Sequence, residues 1–266
     1  AVQLDRSRKH GLLLHAREGH HPQVPQPQVE QPNPTTPAAP PQPAADANAV
    51  NMEKVLTNLS SSDFDVQADQ MDEIAKKGMT NEADAVPYVQ EEVFNKLIDI
   101  VDRDTSSLGR PTDEQLALRA KIAENDAVIA QAEQQGKDPK SVKLPHQLTP
   151  EQESLAMTIT PWEQAERNKE YALFTMAILQ KTYGDEIEKR SGNVVPLTDL
   201  PGAAQVVNEL KSNENPAIRT AAIDSLRYIQ RPEYKDDLSK IYSIAQSDAD
   251  DTVSIAAADA LKSLGA

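Results

Sequence analysis

The 266-residue chain has no cysteine, which excludes disulfides, thiol nucleophiles and zinc sites built on thiolates. Aromatic side chains are scarce: three Phe and a single Trp are too few to line an aromatic ligand barrel. Alternating β-branched runs of strand length are almost missing, and no glycine-rich phosphate loop occurs among the nine glycines. No apolar stretch approaches the roughly 20 residues of a membrane-spanning helix, and Gly11-Leu12-Leu13-Leu14 is short even for a signal-peptide core. Positive charge is also in deficit, 27 Lys and Arg against 42 Asp and Glu, for a net −15. Residues 1–21 run against that balance, with Arg6, Arg8, Lys9 and Arg17 facing only Asp5 and Glu18, which leaves −17 for the remainder. Such a field repels phosphate backbones and anionic lipid surfaces. The expectation is a protein partner of basic or mixed charge, with no nucleic acid and no membrane insertion.

What is present forms helices. Hydrophobic residues make up 38% of the chain and alanine is prominent among them, so the core is built from small side chains on closely packed helices. We read the fold class as all-α. The compartment stays open between cytoplasmic and extracytoplasmic, with room for a signal or anchor upstream of Ala1.

The chain divides by texture. Residues 1–21 are a basic, histidine-containing tail expected to be disordered. Residues 22–47 hold nine of the nineteen prolines, no glycine, and only Val24 and Val29 as sizeable apolar groups. This is a spacer that reaches roughly 80 Å at about 3.1 Å per residue. Its Pro34-Thr35-Thr36-Pro37 and Pro37-Ala38-Ala39-Pro40 segments fit a PxxP pattern but lack a flanking arginine to orient a partner groove.

Residues 48–105 form a first helical region. Met52, Val55, Leu56 and Leu59 recur at helical spacing, followed by Val66, Met71, Ile74 and Ala75, with Gly78 as the expected end. Pro87 is expected to open the next helix, whose stripe is Val89, Val93, Leu97, Ile100 and Val101. Residues 106–148 read as a polar insertion, partly helical from Thr112, with a loop from Gly136 to Pro145. Residues 149–198 are central helices started by Thr149-Pro150 and Thr160-Pro161, each followed by Gln or Glu at the capping-box position. The second carries Tyr171, Leu173, Phe174, Met176, Ile178 and Leu179 around most of its circumference, the expected centre of the core, with Gly184, Gly192 and Pro196 marking its exit.

Residues 199–266 repeat with a period of 35. Ala203, Val206, Val207 and Leu210 recur as Leu238, Ile241, Tyr242 and Ala245; Ile218, Ala221, Ala222 and Leu226 recur as Val253, Ala256, Ala257 and Leu261. A repeat of that length is one helix pair that buries its apolar face by stacking. Pro216, Ile218, Arg219, Ala221, Ala222 and Leu226 resemble the second helix of the HEAT-type α-helical repeat family; the second copy departs with Asp251 for the proline and Ser254 for the arginine. Both copies carry a cation, Arg227 or Lys262, where that family often has glycine. Residues 50–78 resemble the pattern loosely. The resemblance implies an α-solenoid of stacked antiparallel helix pairs that acts as a scaffold or adaptor, its second helices lining a concave face. By helical geometry that face carries Thr220, Asp224 and Arg227, with Ile255, Asp259 and Lys262 as their counterparts.

Reactive constellations are weak. His10, His15, His20 and His21 are potential metal donors without an acid cluster to fix them. Asp248, Asp250 and Asp251 begin like a calcium loop, but Val253 stands where glycine is needed, and helix capping explains the same carboxylates. Asp185 with Glu186, and Glu163 with Glu166, are carboxylate pairs of the kind acid–base chemistry uses, yet an acidic helical chain produces such pairs freely. His146 lies alone in a Pro-flanked loop. We expect no enzymatic activity, no cofactor and no metal. Two other readings stay open: an accessory or lyase-like HEAT protein acting on a partner or its bilin chromophore, and an extracytoplasmic structural protein tethered by the Pro-rich spacer.

Overall fold

A computed structural model describes residues 50–265; the expected tail (1–21) and spacer (22–47), with their histidines and PxxP segments, lie outside the described residues. The described part is all-helical, with no strand among its residues. In chain order the helices are α1 (Met52–Leu59), α2 (Phe64–Thr80), α3 (Glu82–Ala85), α4 (Glu91–Val101), α5 (Asp113–Gln134), α6 (Pro150–Met157), α7 (Pro161–Ser191), α8 (Ala203–Ser212), α9 (Pro216–Tyr228), α10 (Lys235–Ala245) and α11 (Asp251–Ser263). None of them is long and apolar enough to cross a membrane.

Capping chemistry sets most of the starts. The side chains of Thr112, Thr149 and Thr160 each accept a hydrogen bond from the backbone N–H three residues on, and the side chains of Gln115, Gln152 and Glu163 accept one from the backbone N–H of the threonine. Two of the free amides at each of those helix ends are thereby satisfied. Asp63, Asn215 and Asp250 cap α2, α9 and α11 in the simpler one-way manner.

Helix α7 is the centre. At 31 residues it is about 46 Å long, and it packs against α2, α4 and α9, with α9 in turn against α8 and α11, and α11 against α10. Ala172, Leu173, Met176, Ala177, Ile178 and Leu179 are almost wholly buried. Polar side chains on the same helix reach its neighbours' backbones. Asn168 donates to the Phe64 carbonyl at 2.8 Å, and Gln180 donates to the Pro201 carbonyl at 2.7 Å. One continuous apolar core runs from Val55 and Leu59 through α7 to Ala256 and Ala260.

Three sequence expectations need correction. Helix α2 does not end at Gly78 but continues to Thr80; a Cβ at Gly78 would lie 2.3 Å from Cγ2 of Ile178, so this glycine lets α2 and α7 approach. Pro87 does not open α4. It sits in a 3-10 turn over Val86–Tyr88, and α4 starts at Glu91 behind Gln90. Gly184 lies inside α7, whose stop is Gly192 in the left-handed region at φ 70°. Gly202 is also in the left-handed region that favours glycine: its φ is 74° and an added Cβ would meet the Met176 sulfur at 2.3 Å.

The segment after α4 forms an arm. Helix α5 presents no apolar face, burying only Gln115, Leu118, Asn125 and Ala132, and it packs chiefly on α6 and the 3-10 turn at Pro139–Ser141. Arg119 holds the arm's base. Its guanidinium donates to the Ala156 carbonyl at 2.7 Å and the Thr158 carbonyl at 2.8 Å, and forms a two-point ion pair with Glu163 in the first turn of α7. At the loop, Asn125 exchanges hydrogen bonds with both backbone groups of His146.

The Gly78 contact has a measurable consequence. Gly78→Ala is expected to lose about 1–3 kcal/mol in urea unfolding through overpacking. Combined with Ile178→Ala, it should lose clearly less than the sum of the single changes; strict additivity would rule out the close contact as the cause.

Candidate functional site

The six residues expected on one face divide between two neighbouring helices. Asp224 and Arg227 are exposed on α9 and form an i,i+3 ion pair at 3.5 Å; Asp259 and Lys262 repeat the arrangement on α11 at 3.3 Å. Ile255 is 51% exposed, unusual for a large apolar side chain beside a packed interface. Thr220 is the exception: it is only partly exposed, and its hydroxyl is buried with no hydrogen-bond partner among the described residues. The surface continues onto α7. The ring of Tyr228, next to Arg227, meets Phe174 edge-on at 5.7 Å, and Tyr171, one turn before Phe174, is exposed. On α2, Asp72 and Lys76 pair at 2.5 Å.

Helix α9 is tied to the turn between α10 and α11. Arg219 donates Nε and Nη2 to the two carboxylate oxygens of Asp248 at 2.8 and 2.7 Å, while Nη1 donates to the Asn213 carbonyl at 2.7 Å. The fork-on-carboxylate geometry is the strong form of an ion pair. Asp248 is thus the partner of Arg219, held below the usual carboxylate range first by that hydrogen bond, and Asp250 caps α11. Among the described residues no three His, Asp or Glu side chains converge in a metal-binding group.

The other candidates are taken up in ion pairs, mostly within α7. Asp185 pairs with Lys181 at 2.6 Å and Arg231 at 3.5 Å; Glu186 pairs with Lys189 and Arg190; His146 Nε2 lies 2.5 Å from Glu124. The pairing of Glu163 with Glu166 does not materialise, because Glu163 faces Arg119 and Glu166 turns inward.

Glu166 opens onto a site that the sequence reading did not single out. The α4–α5 connection, the first turns of α7 and the α8–α9 turn enclose a cleft of about 680 Å³. Glu166, 6% exposed, accepts from Thr105 Oγ1 and Asn215 Nδ2, both at 2.8 Å, and pairs with Lys169, 7% exposed, at 3.2 Å. Arg103 donates to Gln67 at 3.2 Å and lies over the Phe64 ring at 5.3 Å. At the mouth Arg110 lies over the Trp162 ring at 5.0 Å. The cleft is assembled from segments about 50 residues apart in sequence, so no local pattern reports it. The available signal was the Glu-x-x-Lys spacing of Glu166 and Lys169 in the first turns of α7.

Electrostatics in the cleft are balanced by hydrogen bonding. Burial pushes the Glu166 carboxyl upward, but Asn215, Thr105 and the Lys169 charge outweigh it and hold the carboxyl below its ordinary value. Burial lowers the Arg103 guanidinium.

No protein-family model, curated protein or solved structure matches the chain. The HEAT-type resemblance therefore stands on the repeat residues alone.

A group whose folded-state value is depressed adds stability above its unfolded value and loses it as pH falls through the folded one. For Glu166 that window opens below the ordinary 4.5. Between about pH 5 and about pH 3, the wild-type melting temperature should fall more steeply than that of Glu166→Gln at constant ionic strength. Parallel curves would remove Glu166 from the acid response.

Proposed function

We propose that this chain is a non-catalytic protein-interaction scaffold, and that its helices stack as an α-solenoid of the HEAT type. The observation that carries the reading is the lateral order of the long helices. Helix α2 packs on α7, α7 on α9 and α9 on α11, while α4, α8 and α10 pack against α7, α9 and α11 respectively. A stacked helix-pair array would pack neighbour to neighbour in this order, and the 35-residue period supports the same reading.

The outward side of the α7, α9 and α11 row supplies binding chemistry. Tyr171, Tyr228 and Ile255 offer apolar area on the same helices and their neighbour α7, beside the Asp224–Arg227 and Asp259–Lys262 pairs. Exposed i,i+3 ion pairs contribute only about 0–1 kcal/mol each, so a partner can exchange them at small cost. Aromatic and charged groups in alternation are typical of specific protein contacts. The charge pattern suits a partner of basic or mixed charge rather than a polyanion.

Capture of partners from source-cell extract with the full chain tests the reading. A variant combining Asp224→Arg, Arg227→Glu, Asp259→Arg and Lys262→Glu, shown to be folded by circular dichroism, should lose at least about tenfold of a specific co-purifying protein, equivalent to 1.4 kcal/mol. Recovery of the same proteins at the same yield by both forms would exclude this row as the binding face.

A further inference from the structure

We propose that the cleft beside Trp162 is a second contact point that takes a carboxylate carried on a mixed-charge peptide segment. The proposal deepens the scaffold reading, because it assigns a chemistry to one stretch of a bound partner.

The argument is an imbalance between acceptors and donors. The buried acceptors of the cleft are already engaged. Glu166 accepts from Thr105, Asn215 and Lys169, and Glu209 accepts from Gln205 at 2.8 Å and Asn213 at 2.5 Å. The donors are not. The ammonium of Lys169 has three N–H groups and one acceptor among the described residues, Glu166, although its side chain is 7% exposed as a residue. Arg103 spends one nitrogen on Gln67, which leaves the rest of its fork. Arg110 has only the Trp162 ring as a partner among the described residues. Three cations with spare donors around one concavity favour an oxygen acceptor, and a guanidinium matches a carboxylate at two points.

The rim decides which acceptor. Asp104 and Glu214 are exposed at the cleft edge, and the chain as a whole carries −15. A free dianion such as phosphate meets that field unneutralised, whereas a carboxylate with a lysine or arginine beside it places its own cation on the acidic rim. An open cleft of about 680 Å³ accommodates several residues of extended peptide.

Trp162 is the only tryptophan in the chain, so its emission reports occupancy directly. The full chain is titrated with three probes: an end-blocked Lys-Gly-Glu-Gly-Lys peptide, the same peptide with Gln for Glu, and inorganic phosphate; a Lys-Gly-Lys-Gly-Gly peptide with a free C-terminus separates a terminal from a side-chain carboxylate. Calorimetry gives a second readout for variants that alter the baseline emission. One of the two carboxylate peptides should produce a saturable change, with the Gln peptide at least about tenfold weaker. Arg110→Gln, at an exposed side chain, should weaken binding about tenfold with an unchanged melting temperature; Arg103→Gln should weaken binding about tenfold as well, with a lower melting temperature from the lost contacts to Gln67 and Phe64. The proposal is overturned if neither carboxylate peptide saturates, if the Gln peptide binds equally, if both variants bind as wild type does, or if phosphate binds as tightly as the peptide. All components are purified, so such a failure leaves capture through the α9 and α11 row unaffected, and failure of that capture leaves peptide binding in the cleft to be read on its own.

Discussion

Helix α7 must be covered on several sides at once, and the rest of the molecule is the solution to that requirement. Its apolar residues run around most of the helix, so exposure of any side would leave Leu173, Met176, Ile178 or Leu179 in water. Helices α2, α4 and α9 each cover a part. The fit is then tightened from both directions by small residues, Gly78 against Ile178 and Gly202 against Met176. Asn168, Thr175 and Gln180 add polar ties that set the register of the neighbours, since each bonds to a backbone carbonyl at a fixed height along the helix. Packing alone would permit sliding; these bonds oppose it.

How much of this was legible follows from the range of each interaction. Thr112, Thr149 and Thr160 announce helix starts because their partners lie three residues away, and the 35-residue repeat announces α8 to α11 because the same buried positions recur. Glycine is ambiguous at two positions for a physical reason. Gly78 and Gly184 look like helix stops, yet a glycine inside a helix is tolerated when a neighbouring helix or side chain lies close against it, and the neighbour is invisible in the sequence. Pro87 was misread because proline suits a 3-10 turn as well as the first turn of an α-helix.

The candidate sites show the same division. Asp224, Arg227, Ile255 and Lys262 were placed on the surface by periodicity alone, while the sealed hydroxyl of Thr220 depends on what packs beside it. Arg219 and Asp248 were each noticed for other reasons, one as part of the repeat pattern and one as part of an acidic cluster. Their pairing spans 29 residues and needs the stacking of α9 on α11. The cleft around Glu166 draws on two connections between helices and the first turns of α7, and only the fold brings them together.

The order of the chain gives the α2–α7 contact a temporal side. Phe64 and Met71 find Asn168 and Thr175 104 positions later, whereas α8 to α11 pack mainly on helices no more than two elements away in the helix order. During synthesis at roughly 5–20 residues per second, the apolar faces of α2 and α4 emerge first and wait on the order of ten seconds for α7 to follow. The N-terminal helices are therefore the part of this protein most exposed to wrong associations as it is made, and the part with most to gain from a chaperone at the ribosome exit.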